Sequence, residues 1–263
     1  MPLSPEEYVP RVSFAVSADA YDRFMGRYST RLAPQLADFA GVRAGQRVAD
    51  IGCGPGALTS ELVDRVGPTN VFAVDPSQTF VAAVRERFPS VDVRLAAAEH
   101  LPFSDRRFDA ALAQLVVHFM SDAVAGLAEM ARVVRTDGVV AACVWDHAGE
   151  HGPLSVFWQA ARELDPTVAD ESRLAGAREG HLAELFVSAG LRRVGSTVLV
   201  ATVTHTSFDD WWEPFTLGVG PAGAHVAGLE VTRRAELRER CRDLLPTAPF
   251  EVAARAWTAR GIA

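Results

Sequence analysis

The stretch VADIGCGPGALTS, residues 48–60, places three glycines between an apolar run and a run with the pattern of a helix. A glycine-rich turn that follows a strand usually holds a phosphate, because glycine lets a ligand approach the backbone closely. The spacing of Gly52, Gly54 and Gly56 fits the dinucleotide fingerprint and also the turn of a related nucleoside binder. The stretch therefore predicts a strand, a ligand-binding turn and a helix, and residues elsewhere have to identify the ligand.

Downstream of this turn, short apolar runs alternate with amphipathic runs, which is typical of a parallel sheet with helices on its faces. The predicted strands are residues 47–51, 70–75, 91–96, 108–117, 139–145, 191–205 and 251–261. The sixth run reads as one long strand or as two strands joined by a bend at Gly195. Ser121 is predicted to cap a helix that ends at Gly138. The predicted fold class is α/β.

Charge and composition argue against a nucleic-acid partner. The net charge is −7, and all 26 basic residues are arginine because the sequence contains no lysine. A nucleic-acid binder usually carries a basic face that displaces counterions from phosphates, whereas these arginines are interspersed with acidic residues. We therefore interpret the arginines as part of a solvated surface and expect a small-molecule partner.

Cysteine usage and hydropathy predict the compartment. Cys53, Cys143 and Cys241 lie far apart and form no C-x-x-C pair, which is typical of reduced thiols in a cytoplasm. The N-terminal stretch MPLSPEEYVP lacks the basic head and apolar run of a signal peptide. No uncharged apolar stretch approaches the ~20 residues that span a bilayer. The sequence thus predicts a cytoplasmic protein without a membrane segment.

Several side chains around the turn bear on the charge of its ligand. Pro55 removes an amide donor that a pyrophosphate would use, and Asp50 adds negative charge where phosphates would lie. Asp75 ends the second strand at the spacing at which an acid binds ribose hydroxyls. Glu99, after the third strand, is placed to meet a base. These residues predict a nucleoside ligand that lacks a pyrophosphate and carries a positive centre.

Four segments in combination are more specific than the glycines alone. They are VADIGCGPGALT (48–59), VFAVDPS (71–77), AAAEHLPFSDRRFDAALAQLVVHF (96–119) and EMARVVRTDGVVAACVW (129–145). Together they resemble the class I S-adenosylmethionine-dependent methyltransferases, especially the small-molecule group with an LPF motif. The stretch RTDGVV departs from the Pro-Gly-Gly of many relatives, and Asp137-Gly138 is expected to make an equivalent turn. The resemblance implies a Rossmann-like, seven-stranded sheet in the order 3-2-1-4-5-7-6 with an antiparallel last strand.

The resemblance covers residues 47–145, and we interpret the rest of the chain around it as one domain. The predicted parts are an N-terminal helical lid (1–44), a cofactor-binding core (45–206 and 250–263) and a helical cap (207–249). The cap segment contains the aromatic run FDDWWEPF and a Gly/Pro loop, GVGPAG. It is too long for a hairpin turn, which favours an inserted cap.

Carried onto this chain, the family's cofactor site falls on the turn, the strand ends and the N-terminal segment. The implied residues are Tyr21, Arg27, Asp50, Gly52, Cys53, Gly54, Gly56, Asp75, Pro76, Ala98, Glu99 and Gln114. Tyr21 and Arg27 resemble residues that close over S-adenosylmethionine and meet its carboxylate; the alternative is a packing Tyr and a surface Arg. The backbone of Ala98 and Glu99 is an alternative to the Glu99 carboxylate as the adenine contact. Gln114 either borders the methionine part or bonds to a neighbouring loop.

The acceptor side of the predicted site consists of one histidine and four aromatic residues. His118 follows the fourth strand, where it either deprotonates an acceptor or packs against the cofactor. The candidates for a substrate-facing wall are Trp145, Trp211, Trp212 and Phe215, with the core of the cap as the alternative role.

A second motif, H-x-x-E-H at residues 147–151, matches a zinc pattern that requires a helix. Gly149, Gly152 and Pro153 indicate a loop instead, so we interpret the match as chance and predict no metal.

The sequence therefore predicts an enzyme that transfers a methyl group from S-adenosylmethionine to a small, partly hydrophobic or aromatic acceptor, on an O, N or C atom. A monomer or a homodimer is expected. Two alternatives stay open: a nicotinamide-dependent oxidoreductase, which Pro55, Asp50 and the LPF loop disfavour, and a regulatory protein that binds S-adenosylmethionine without turnover. An enzyme that methylates base amino groups would carry an Asp/Asn-Pro-Pro-aromatic motif where this chain has QLVV at 114–117.

Overall fold

The computed structural model describes residues 16–263, so the start of the predicted lid and the segment tested for a signal peptide, residues 1–15, lie outside it. The strands in this part are β1 (Val48–Ile51), β2 (Val71–Asp75), β3 (Asp92–Leu95), β4 (Phe108–Gln114), β5 (Val134–Trp145), β6 (Arg192–His205) and β7 (Phe250–Ile262). They form one sheet in the order β3-β2-β1-β4-β5-β7-β6. Strands β1 to β5 pair in parallel, whereas β7 is antiparallel to both β5 and β6. The predicted sheet, its order and its antiparallel last strand are confirmed.

Helices cover both faces of this sheet. Over residues 16–263 they are α1 (Ala18–Tyr21), α2 (Arg27–Ala40), α3 (Ala57–Val66), α4 (Gln78–Arg87), α5 (Ala123–Val133), α6 (Ser155–Leu164), α7 (His181–Ser188), α8 (Phe208–Trp212), α9 (Gly220–Gly228) and α10 (Val231–Leu244). A π-helical turn, Asp22–Gly26, joins α1 to α2, and 3-10 turns lie at Pro68–Asn70, Val117–Phe119, Glu171–Arg173 and Glu213–Leu217.

The apolar stripes of these helices hold the sheet between two layers. Leu32 and Leu36 of α2 and Leu62 of α3 belong to one core cluster, and Leu127 of α5 and Phe186 of α7 belong to the other. All five side chains are 0% exposed. Burying a side chain of this size contributes about 1.5–3 kcal/mol relative to leaving it exposed. The two layers therefore make the sheet a rigid platform for the residues at its strand ends.

The helix after β4 differs from the prediction at both ends. Asp122 rather than Ser121 caps α5, because the Asp122 carboxylate accepts a backbone N–H of the first turn. β5 begins directly after α5, at Val134, so Gly138 lies inside a strand and not at the end of a helix. A Cβ at Gly138 would lie 2.7 Å from the backbone oxygen of Asp109, and this close approach accounts for the glycine.

The segment between β6 and β7 contains α8, α9 and α10, and the Gly/Pro loop predicted within it is wrong. Gly220 begins α9, and Pro221 occupies the first turn of that helix, where its missing N–H costs no hydrogen bond. The run 191–205 is a single strand with an irregular register between Arg192 and Gly195.

Strand β6 forms one edge of the sheet, and α2 protects part of that edge. Gln35 donates its Nε2 hydrogen to the backbone oxygen of Val200 at 2.8 Å, and its Oε1 accepts from the backbone amide of Val200 at 3.3 Å. A side-chain amide thus satisfies both backbone groups of one edge residue, as a neighbouring strand would do.

Candidate functional site

The glycine turn is tied to the end of β2. The backbone amides of Gly52 and Cys53 donate to the carbonyl oxygen of Val74 at 2.8 and 2.9 Å. The amide of Gly54 donates to Oδ2 of Asp75 at 2.8 Å. Asp75 is 6% exposed, so its carboxylate is held beside the turn. The structure therefore brings together the glycine turn and the predicted ribose acid.

Asp75 is also held from its other side. Its Oδ1 accepts from the amide of Ser77 at 2.8 Å, and the exposed Pro76 lies between the two residues. Burial raises the pKa of Tyr21 above its ordinary range, and the nearby charge of Asp75 raises it further. The ring of Tyr21 packs edge-on against Phe80 with their centroids 5.4 Å apart. Tyr21 therefore lies close to the strand end that carries Asp75.

All three glycines of the turn have positive φ angles, but the space around their Cβ positions differs. A Cβ on Gly52 (φ +70°) would lie 2.5 Å from Cγ2 of Val116, so packing alone requires glycine there. A Cβ on Gly56 (φ +101°) would lie 3.2 Å from the Phe88 ring. A Cβ on Gly54 (φ +53°) would meet no described atom within 4 Å. The space beside Gly54 is therefore open to a ligand.

Asp50 is a buried carboxyl group at the base of the turn. Thr59 donates its hydroxyl hydrogen to Oδ2 of Asp50 at 2.6 Å, while Oδ1 has no hydrogen-bond partner within residues 16–263. Burial raises the pKa of Asp50 to about 7 against the Thr59 hydrogen bond, and the charge of Asp75 adds to the rise. A buried carboxyl group of this kind favours a nearby positive charge over a phosphate.

Two further predicted residues form side-chain hydrogen bonds with backbone groups of neighbouring segments. Oε1 of Glu99 accepts from the amides of Ser121 and Asp122 at 2.7 and 3.3 Å, and the contact of residues 98–99 with a base stays a prediction. Gln114 donates from Nε2 to the backbone oxygen of Ser29 at 3.0 Å. Its buried Oε1 has no partner in the described part of the chain, so an acceptor is free at the end of β4.

The guanidinium of Arg27 is bonded to the segment after β6. Its Nη2 donates to Oδ1 of Asp210 at 3.1 Å, and its Nη1 donates to the backbone oxygen of Asp210 at 3.2 Å. Nη1 also lies 3.3 Å from Nδ1 of His205. The role of Arg27 at a methionine carboxylate stays a prediction, and the contacts observed join α2 to α8 instead.

His118 is 6% exposed and lies in the 3-10 turn Val117–Phe119, which follows β4. Its Nδ1 has no hydrogen-bond partner among residues 16–263, and its ring centroid is 6.0 Å from that of His147. Burial lowers the pKa of His118 well below its ordinary value, and His147 lowers it further. His118 is therefore an uncharged imidazole at neutral pH.

The histidines of the H-x-x-E-H motif lie beside different carboxylates. Nε2 of His147 is 3.9 Å from Oε1 of Glu171, and Nδ1 of His151 is 2.9 Å from Oδ2 of Asp146. Within the described residues, no group of three or more His, Cys, Asp or Glu side chains is arranged to hold a metal ion.

The aromatic candidates for the substrate wall are all buried: Trp145, Trp211, Trp212 and Phe215. Phe215 stacks on Phe157 of α6 and packs against Trp211, in each case with ring centroids 4.7 Å apart. Trp211 and Phe215 also line a cleft with Tyr28 and His205. The structure thus brings two of the four to a cleft and gives the same residues core contacts.

Three residues beside this cleft were not predicted from the sequence. Tyr28 follows Tyr21 by two helical turns in YDRFMGRYS, a spacing that places both on one side of a continuous helix. His205 ends a long strand, and Asp210 lies in the acidic pair of FDDWW. No pattern in the sequence connects these residues to each other, because they meet only through the packing of α2 against β6 and α8.

The segment of the chain that carries the glycine turn is similar in sequence to a known family. Residues 49–142 match the family described as a methyltransferase domain. This part of the chain is similar to a methyltransferase domain. The matched residues hold the glycine turn, Asp75 and His118, so the resemblance to methyltransferases predicted from the four segments is confirmed over this part of the chain.

Relatives and structures similar to this chain vary in their stated activities. An uncharacterized methyltransferase of Mycobacterium tuberculosis is 34% identical over 139 residues, which cover 53% of this chain and 54% of that protein. A demethylmenaquinone methyltransferase of Beutenbergia cavernae is 38% identical over 101 residues, 38% of this chain and 41% of that protein. The chain therefore spans about half the length, or less, of these curated relatives.

A solved structure of another protein has a fold similar to that of this chain. It is a phosphoethanolamine N-methyltransferase 2 of Haemonchus contortus in complex with phosphomonomethylethanolamine and S-adenosylhomocysteine. It matches with a TM-score of 0.55 and 15% identity, over 93% of this chain and 59% of that one.

None of the helices over residues 16–263 combines the length and apolar character needed to cross a membrane.

Proposed function

We propose that this protein transfers a methyl group from S-adenosylmethionine to a small, partly hydrophobic or aromatic acceptor. The observation that carries the proposal is the pairing of Asp75 with Gly54 at 2.8 Å beside a Gly54 Cβ position that is open. An acid fixed at this point can accept hydrogen bonds from two ribose hydroxyls, and the open space admits the rest of a nucleoside.

The residues around the turn fit this cofactor in charge as well as in shape. Oδ1 of Asp50 and Oε1 of Gln114 are buried acceptors without partners in the described chain, and a ligand ammonium group would satisfy such atoms. When bound, the cofactor supplies a methyl group on a positively charged sulfonium. Asp50 near the end of β1 and Asp75 at the end of β2 bring two buried carboxyl groups to the same edge of the sheet. Their negative charge favours a cationic ligand over a pyrophosphate.

His118 is the residue we propose as the base when the acceptor must lose a proton. It follows β4, at the edge where ligands of open α/β sheets bind, and it is uncharged at neutral pH because burial lowers its pKa. Its Nδ1 has no partner among residues 16–263 and can accept a hydrogen bond. General bases of this kind contribute about 10²- to 10⁴-fold to a rate.

The acceptor is proposed to be small and partly aromatic because the cleft beside Tyr28 is lined by Trp211 and Phe215. Aromatic walls favour planar or apolar guests through the area that they bury. The name of the Beutenbergia cavernae relative, a demethylmenaquinone methyltransferase, supports an acceptor with a ring system. We further propose a single domain with a lid at 1–44 and a cap at 207–249, acting in the cytoplasm as a monomer or homodimer.

The proposal is tested in two steps. Calorimetry should detect binding of S-adenosylmethionine and of S-adenosylhomocysteine, with no binding of NADH or NADPH as the matched nucleotide control. Methyl-labelled cofactor should then label at least one member of a panel of phenols, quinols, hydrophobic acids and amines. Binding of NADPH alone, or labelling only of a protein or nucleic-acid extract, would contradict the proposal.

A proton should leave the protein when S-adenosylmethionine binds at pH 7. Burial raises the pKa of Asp50 to about 7, and a cation bound nearby lowers it again. Calorimetry in buffers with different ionisation enthalpies should therefore detect a release of protons when the cofactor binds. Asp50→Asn should abolish the release, and an equal release from this variant would contradict the role of Asp50.

A further inference from the structure

His147 belongs to a cluster of buried polar side chains next to His118. The cluster consists of His118 from the 3-10 turn after β4, His147 from the loop after β5 and Glu171 from another 3-10 turn. Their exposed fractions are 6%, 9% and 3%. Nε2 of His147 is 3.9 Å from Oε1 of Glu171, and the ring centroids of the two histidines are 6.0 Å apart. Two imidazoles and one carboxyl group therefore meet in the interior, beside the proposed base.

The two imidazoles differ in the groups that can stabilise a positive charge on them. His147 faces the carboxyl group of Glu171, whereas Nδ1 of His118 has no hydrogen-bond partner within residues 16–263. Burial and the charge of His147 lower the pKa of His118 well below its ordinary value. An opposite charge nearby favours the charged form of an imidazole, and a like charge disfavours it. A proton bound by this pair is therefore more stable on His147 than on His118.

Glu171 is held in place from its other side by helix α6. Its Oε2 accepts from Nε1 of Trp158 at 2.9 Å, so Oε1 is the oxygen that faces His147. Trp158 is itself 4% exposed, and this bond satisfies an indole donor in the interior. The carboxyl group of Glu171 therefore has a fixed position relative to the imidazole of His147.

A narrow cleft connects His147 to the surface of the protein. His147 and Trp158 line it together with Arg162, Asp170 and Glu150, and the side chain of Glu150 is 59% exposed. The cleft has room for about one water molecule. Arg162 forms ion pairs with both carboxylates, so one positive charge in the lining faces two negative charges. A water molecule in this cleft can thus take a proton from His147 and pass it to solvent.

We propose that His147 and Glu171 accept the proton that His118 removes from the methyl acceptor and release it through this cleft. The acceptor loses a proton to His118 as its O, N or C atom gains the methyl group. The proton then passes to His147, where the carboxyl group of Glu171 stabilises it, and water in the cleft carries it to solvent. This inference rests on the proposed methyl transfer, for whose base it supplies a proton exit.

The separation of the two histidines bears on how the proton moves between them. Centroids 6.0 Å apart place the ring nitrogens beyond direct hydrogen-bond distance. One water molecule between the rings, or a rotation of either ring, completes the connection. In this arrangement His118 contacts the acceptor, whereas His147 and Glu171 act through His118.

The order in which the two histidines become charged tests the proposal without any substrate. Nitrogen-15 spectra of the full-length wild-type protein, recorded as the pH is lowered from 8, should show His147 charged before His118. The resonances are assigned by their loss in His147→Gln and His118→Gln. The proposal is overturned if His118 is charged first, if both are charged together, or if His147 stays uncharged until the protein unfolds.

Removing His147 should raise the pKa of His118, because a neighbouring positive charge is lost. In His147→Gln the proton affinity of His118 should increase by about tenfold to a hundredfold, the coupling of two like charges at 6.0 Å. His151→Gln is the matched control, because His151 lies on the same loop and its Nδ1 is 2.9 Å from Oδ2 of Asp146. An equal change in both variants, or none in His147→Gln, would overturn the role of His147.

The role of Glu171 is tested by removing its charge alone. Glu171→Gln keeps an oxygen that can accept from Trp158, and His147 should then become charged at a lower pH than in the wild-type protein. Glu184→Gln is the control, since Glu184 is an exposed carboxylate of α7 that pairs with Arg178. If the two variants charge His147 at the same pH, Glu171 has no part in the proton exit.

Turnover provides a second readout, because phenols, quinols and amines lose a proton when they are methylated. His147→Gln should lower kcat for such an acceptor by about tenfold or more and keep the wild-type affinity for S-adenosylhomocysteine. His151→Gln should keep both values. A wild-type kcat in His147→Gln would contradict the proton exit.

Binding of S-adenosylhomocysteine separates this inference from the proposed function. If the wild-type protein does not bind S-adenosylhomocysteine, the proposed function fails. If it binds S-adenosylhomocysteine but His118 becomes charged before His147, only the inference about the proton exit fails.

Discussion

Replacing Asp75 by Ala should weaken the binding of S-adenosylmethionine by about tenfold to a hundredfold or more. A hydrogen bond to a charged group contributes about 1.5–3 kcal/mol, and Asp75 is placed to accept from ribose hydroxyls. The same carboxylate also holds the amides of Gly54 and Ser77 at 2.8 Å, so its loss frees the turn from β2. Calorimetric titration of the folded variant measures the effect.

Asp64→Ala is the matched control for this substitution. Asp64 is exposed on α3, the helix that follows the glycine turn, and its removal changes the net charge by the same amount. We expect its affinity for S-adenosylmethionine to equal that of the wild-type protein. If Asp75→Ala binds as tightly as Asp64→Ala, the ribose assignment is wrong.

Two glycines of one turn should lose different amounts of stability when the same methyl group is added. Gly52→Ala should lose about 3 kcal/mol of unfolding free energy or more, because its Cβ meets Val116 at 2.5 Å and its φ is +70°. Gly54→Ala should lose only about 1–2 kcal/mol from its positive φ, because no described atom lies within 4 Å of its Cβ. Urea unfolding of both variants measures this difference.

The binding of S-adenosylmethionine should be strongly affected by Gly54→Ala, although its stability is affected little. Its added Cβ enters the open space beside Asp75, so Gly54→Ala should fold and yet bind S-adenosylmethionine at least tenfold more weakly. Gly41→Ala, at a helix end with φ +72° and an open Cβ position, is the control for backbone strain alone. A Gly54→Ala variant with the affinity of Gly41→Ala would place the ligand elsewhere.

The part of the molecule that was predictable from the sequence is the part built from local patterns. The alternation of apolar runs and helices between residues 47 and 145 predicts the sheet, because each strand–helix unit carries its own periodicity. The Gly54–Asp75 contact was also within reach, since a turn after β1 and an acid ending β2 meet at one edge of a parallel sheet.

The parts that were not predictable depend on contacts between distant segments. Arg27 resembles a cofactor ligand by its position in the sequence, but its guanidinium is bonded to Asp210, 183 residues further along the chain. The start of helix α9 was predicted as part of the loop GVGPAG because its glycines and proline have low helix propensity, and burial of Ala222 and Val226 overrides that tendency. Helix α6 lies beyond the matched segments and was not predicted from its sequence.

The amide of Gln35 on the edge strand β6 has a consequence for how copies of this protein can associate. An exposed edge strand can recruit the edge of a second molecule and extend the sheet across both. At Val200 both backbone groups are already occupied by Gln35, at 2.8 and 3.3 Å. A second sheet would have to displace this amide before it could form continuous hydrogen bonds with β6. Self-association by sheet extension is therefore blocked at Val200, in the middle of this edge.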